Sequence, residues 1–115
     1  MFDNQINEYG IVGSMLRSYA ERKISAIELI GELDNKVQNA SKQIKDILQQ
    51  FRGSWEYLSE SRFSDSNEVV KLLYDNRLLT SVNIINMAKE RYYRLTQIGE
   101  AVRNSYPPVR YVARK

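Results

Sequence analysis

Ile30-Gly31-Glu32-Leu33-Asp34-Asn35-Lys36-Val37-Gln38-Asn39-Ala40 opens the pattern on which the fold turns. Within residues 24–58, Ile30, Val37, Ile44, Phe51 and Leu58 share one position of a seven-residue grid, and Leu33, Ala40 and Ile47 fall three residues later. Alternating steps of three and four put them all on one stripe of a helix, which packs lengthwise against other helices. The other face, Glu32, Lys36, Gln38, Lys42, Lys45 and Gln49, is polar and reads as solvated. Glu32 and Lys36 stand one turn apart in the favourable order, worth ~0.3 kcal/mol when exposed.

Towards the N-terminus, Tyr9, Val12, Leu16 and Tyr19 keep the three–four spacing and predict a first helical segment over about residues 5–22, weakened by Gly10 and Gly13. Ser25 and Glu28 have capping-box spacing. Either a new helix starts there or one bent helix runs through from Glu8, and the sequence leaves both open.

Towards the C-terminus, Arg52-Gly53-Ser54 is the first break, a glycine costing a helix ~1 kcal/mol relative to alanine. Trp55, Leu58 and Phe63 follow as bulky apolar anchors. Ser64-Asp65-Ser66-Asn67 is the strongest stop–start signal, with Asp65 and Glu68 spaced as a second capping box. From Asn67 to about Asn104 the grid returns, with Leu78, Ile85 and Tyr92 at one position and Ala88, Leu95 and Val102 at the other. It predicts a second long helix spanning about 55 Å. Tyr106-Pro107-Pro108 ends it.

The expectation is an all-α chain: a long antiparallel helical hairpin with an additional N-terminal helical segment, bundle-forming. Residues 1–106 form a single helical domain and 107–115 a basic C-terminal tail. A hairpin covers one side of each stripe only. A third helix, a homodimer or a heterodimer with another helical protein must cover the rest. The partner-binding residues expected on this reading are Ile30, Leu33, Val37, Ile44, Phe51, Trp55, Leu78, Ile85, Tyr92 and Leu95.

Composition narrows the function. At 115 residues the chain is one domain, able to bury roughly 65% of its unfolded surface. Two prolines, five glycines and 27% charged residues suit a helical protein. No apolar run approaches the ~18 residues that span a membrane. The first residues lack the basic-then-apolar layout of a secretory signal. A cytoplasmic protein is expected, or one secreted without a cleavable signal peptide.

Histidine and cysteine are absent, which removes the usual nucleophile triads, disulfides, and thiolate or imidazole metal sites. Glu28/Glu32 and Glu56/Glu60 are carboxylate pairs one turn apart and read as solvated surface. Gly10-x-x-Gly13 has neither the preceding strand nor the lysine of a phosphate loop. The expectation is a non-enzymatic protein without cofactor or metal.

The net charge of +3 is uneven: residues 89–115 carry 7 basic and 2 acidic groups. Arg103, Arg110, Arg114 and Lys115, with Tyr106 and Tyr111 between them, have the composition to grip phosphates and stack on bases. Cations at a helix C-terminus and in a solvated tail are the simpler account. Eight tyrosines against three phenylalanines favour surfaces that exchange between water and a partner.

Phe51-Arg52-Gly53-Ser54-Trp55, with Phe63 shortly after, resembles the tryptophan-x-glycine turn of the WXG family, the small helical hairpins of bacterial type VII secretion. Ala88-Lys89-Glu90-Arg91-Tyr92-Tyr93, then Gln97 and Ala101, looks like that family's closing helix. The resemblance covers roughly residues 25–103. It departs from the family in having Phe51 two residues before Gly53, with Trp55 after it. Gln97 stands where the tyrosine-plus-four export signal, here beginning at Tyr93, has an acid. The resemblance implies a turn at Phe51, Gly53 and Trp55, an export signal at Tyr93 and Gln97, and a targeting partner or adaptor of a secreted bacterial protein or toxin. Lys23-Ile24-Ser25-Ala26-Ile27-Glu28-Leu29 also looks like the helix opening of some bacteriocin immunity proteins, which gives a toxin-neutralising alternative. A nucleic-acid-binding regulator using the basic C-terminal region is the other.

Overall fold

The Ser25 capping box forms as its spacing predicts: the Ser25 hydroxyl accepts from the Glu28 amide at 3.1 Å and the Glu28 carboxylate accepts from the Ser25 amide at 2.8 Å. It opens α2 (Ala26–Lys36), behind α1 (Phe2–Ala20). Between them the chain turns left-handed at Arg22, φ 64°, while Arg22 and Lys23 donate to the carbonyls of Tyr19 and Ser18. That closure caps α1, so α1 and α2 are two helices and not one bent helix. This structure, a computed structural model, describes the backbone of residues 2–7 and all of 8–82 and 90–107. Ile85, Arg110, Arg114 and Lys115, and with them the tail from residue 108, lie outside the described residues.

The opening stripe continues through α3 (Gln38–Gln50), bent from α2 at Val37 (φ −140°, ψ 67°). Across the bend Val37 still donates to Leu33 and Ser41 to Val37. A β-branched residue tolerates the extended φ better than a helical one. Leu33, Val37, Ala40, Ile44, Ile47, Phe51 and Leu58 are all buried, so the grid identifies the core-facing residues. What covers them is this chain itself: α1 and the last helix, α5 (Gln97–Ser105), pack on α2 and α3, and α4 (Asn67–Asp75) packs on α1 and α3.

The second grid behaves otherwise. Mostly helical structure is present, but the long hairpin is not seen. After β1 (Leu58–Ser59) and a 3-10 segment, η1 (Glu60–Ser66), come α4 (Asn67–Asp75), β2 (Leu79–Val82), β3 (Tyr92–Leu95) and α5 (Gln97–Ser105). The Asp65–Glu68 box does not form; Ser66 holds the N-cap position of α4 without a side-chain bond. α4 stops at a left-handed Arg77, φ 70°, where Arg77 and Leu78 donate to the carbonyls of Tyr74 and Leu73. Tyr92-Tyr93-Arg94-Leu95 then suits a pleat better than a helix, because aromatic side chains pack well against strand neighbours.

The three strands form an antiparallel sheet in the order β1-β3-β2, with Leu58 opposite Tyr93 and Leu79 opposite Leu95. Tyr93 and Leu95 face the core, and the Tyr93 ring meets Tyr74 of α4 edge-on at 6.0 Å. Thr96 caps α5, its hydroxyl accepting from the Gly99 amide at 3.1 Å. Tyr106 leaves the helix before Pro107, as expected.

Candidate functional site

Glu60 joins the return strand to the start of η1. Its amide donates to the Arg91 carbonyl and its carboxylate accepts from the Arg91 amide, both at 2.8 Å. This double clamp fixes Arg91 beside α4, where its guanidinium lies 5.7 Å from the Tyr74 ring centre. On α4 the buried residues Val69, Val70 and Leu73 hold the helix on the core. The helical period then turns Asn67, Glu68 and Lys71 outward. All three are exposed. With Tyr74, Arg91 and Tyr9 of α1 they line one open cleft.

The cleft carries groups of both signs, the carboxylates of Glu68 and Asp75 with the cations of Lys71 and Arg91. Asn67 offers a paired donor and acceptor, Glu68 an acceptor and Lys71 a charged donor, all near the start of one helix. Arg62, exposed on η1, adds a cation on the neighbouring element. The connection from β2 to β3 carries Lys89 by sequence.

The expected partner-binding residues are placed differently. Leu33, Val37, Ile44, Phe51, Leu78 and Leu95 are buried in the chain's own core; Ile30 and Tyr92 are half-buried. Among the described residues of that set only Trp55 is well exposed, at 64%. Phe51, Gly53 and Trp55 do form a turn, but one joining α3 to β1 and not two long helices. Phe51 is fully buried and stacks on Phe63 at 5.9 Å. Tyr93 and Gln97 fall in different elements, Tyr93 buried in β3 and Gln97 exposed at the start of α5. They are therefore not one turn apart on a helix. Arg103 is occupied within the fold, its Nε donating to the Phe51 carbonyl at 2.7 Å and one terminal nitrogen to Asn104 at 2.9 Å.

Sequence reading missed Asn67, Glu68, Lys71 and Arg91 as a group. The signal available was the Ser64–Asn67 start of a helix with polar residues at i, i+1 and i+4. Their meeting with Arg91 depends on the hairpin, which the grid concealed. No known protein family, curated protein or solved structure matches the chain. No described helix is long and apolar enough to cross a membrane.

Proposed function

We propose that the chain binds duplex DNA, presenting α4 to the major groove and the β2–β3 hairpin to the flanking backbone. The observation that carries this reading is connectivity. A helix (α3), a short strand, a 3-10 segment (η1) kinked at Phe63 and running directly into α4, and a β-hairpin follow the element order of a helix-turn-helix with a β-ribbon appended. In that arrangement the N-terminal residues of the second helix meet base edges. Asn67 suits adenine, Glu68 the cytosine amino group and Lys71 guanine, which are the pairings base-edge geometry favours. Arg62 and Arg91 flank the helix as phosphate contacts.

Binding of the full chain to labelled duplexes across a salt series tests the reading. Neutralising Arg62 or Arg91 lowers the salt slope by about 1 each and weakens all sequences alike, whereas Asn67→Ala relaxes preference at one base pair. Absence of duplex binding at ~50 mM salt sinks the proposal.

A second reading is association with another protein, including the adaptor role implied by the secretion-hairpin resemblance. Ile27, 74% exposed on α2, supports it. The apolar stripe does not, being already covered. Light scattering separates the two: a chain that stays monomeric at high concentration and alongside a co-expressed neighbour removes the adaptor role.

A further inference from the structure

The loop between α3 and β1 is braced, yet it holds the chain's one tryptophan out in water. The Glu56 amide donates to the Gly53 carbonyl at 3.2 Å. The Glu56 carboxylate accepts from the Arg52 amide at 2.8 Å and from the Arg52 guanidinium at 3.0 and 2.8 Å. Those bonds hold the Glu56 carboxyl below the usual carboxylate range. Arg103 ties down the start of the loop through the Phe51 carbonyl.

Buried Phe51 and Leu58 flank the loop, so its position is set by the core at both ends. Trp55 nevertheless remains 64% exposed and Tyr57 45%. The indole lies against Gly53, where an added Cβ would come within 2.5 Å of its ring nitrogen. The Arg52 guanidinium stands 5.2 Å from the indole centre. Register puts Tyr57 opposite Arg94, since Leu58 pairs with Tyr93. Arg94 lies on the face of β3 away from the core, its guanidinium 5.9 Å from the Tyr57 ring centre.

We propose that Trp55 and Tyr57, with Arg52 and Arg94, form a stacking platform for the unpaired bases of a single-stranded nucleic acid. Two exposed rings on a rigid loop lose little side-chain freedom on binding. Planar guanidinium groups beside them supply the phosphate attraction and cation–π contact that such platforms combine. The surroundings are polar: Ser54 precedes Trp55, Glu56 lies between the two aromatic residues in the chain, and Arg62 is near enough to influence the Glu56 carboxyl. A protein hot spot would instead sit at the centre of an apolar patch with a polar rim. Glu56 is already paired with Arg52, which leaves Arg62 and Arg94 as excess positive charge for a polyanion.

This site is on the opposite face of β3 from α4, because Tyr93 faces α4 and Arg94 faces away. It shares only Arg62 with the duplex reading and otherwise stands apart from it.

Trp55 is its own reporter, being the single tryptophan. The full chain is titrated with oligothymidylate at low salt while the indole emission is followed. Saturable quenching that weakens with added salt is expected. Tyr57→Ala and Arg94→Gln each weaken binding roughly tenfold, the worth of about one stacked base. Gly53→Ala, which displaces the indole, does the same with the helical circular dichroism unchanged. Lys71→Ala leaves this binding untouched, which separates it from the duplex site. No quenching by oligothymidylate overturns the proposal. So does equal quenching by an abasic oligomer, which would leave phosphate attraction alone. Equal quenching by polyglutamate likewise overturns it, assigning the loop to an acidic protein partner.

Discussion

Two residues hold α5 in place by opposite means. Gly99 lets the helix start press onto the preceding turn: a Cβ there would lie 1.9 Å from the Leu78 carbonyl oxygen, which already accepts from Thr96 at 3.1 Å. Backbone on both sides leaves no flexible group to yield. Gly99→Ala is expected to cost at least ~2 kcal/mol, towards the upper end of overpacking, read as a lowered urea midpoint. Tyr106 sits at the other end of α5, with its hydroxyl buried and without a hydrogen-bond partner among the described residues. Ser41 lies close, but its hydroxyl is directed to Asp34. Burial, with the Asp34 charge added, pushes the Tyr106 phenol well above its usual range. The folded state thus keeps a proton that the unfolded chain releases from about pH 10, and stability falls as pH rises beyond that value. Tyr106→Phe is expected to raise stability by about 1 kcal/mol at neutral pH and to flatten the alkaline decline. A steeper decline in Tyr106→Phe would refute the assignment.

Among the elements, α2 is the one whose beginning rests on a reciprocal side-chain cap. Ser25→Ala removes one half of a reciprocal cap and should cost about 1 kcal/mol, a fall of some 4 °C in Tm for a chain of this size. The cap was readable because it is local: two residues three apart satisfy it whatever the rest of the chain does. The burial of Ile44, Ile47 and Phe51 was readable for a related reason, since α3 obeys one period throughout. The second half was not. Leu78, Tyr92 and Leu95 lie on a seven-residue grid, yet a pleat selects Tyr93 and Leu95 for the core and turns Tyr92 outward. The grid follows only the helical period, and residues seven apart fall on opposite faces of a strand, so it passed over Tyr93. The better signal was local composition, with aromatics at Tyr92-Tyr93 and β-branched Thr80 and Val82 on either side of Ser81. The left-handed end of α4 gave no warning, because Arg77 occupies a position usually held by glycine. Missing the hairpin meant missing the site, for Arg91 reaches α4 only by way of β3.

The whole molecule has one core, shared by every helix. Val12, Met15, Leu16 and Tyr19 of α1 are buried with Leu29 and Leu33 of α2, Leu73 of α4, Leu95 of β3 and Val102 of α5. The Tyr19 hydroxyl also donates to the Ile98 carbonyl at 2.6 Å, joining α1 to α5 across 79 residues of chain. The segment from η1 to β3 is therefore not a separable module carried on an N-terminal arm. Burying four such side chains stabilises by roughly 1.5–3 kcal/mol each, about 6–12 kcal/mol in all. That is as large as the whole net stability of a typical domain, ~5–15 kcal/mol. A chain beginning at residue 21 is accordingly expected to lose cooperative folding. The intact chain should unfold in a single transition, with far-ultraviolet circular dichroism and the near-ultraviolet tyrosine signal coinciding. A cooperative urea transition in residues 21–115 would show that α1 is an appendage. The α4 cleft would then have to be rebuilt without Tyr9, which now forms its wall.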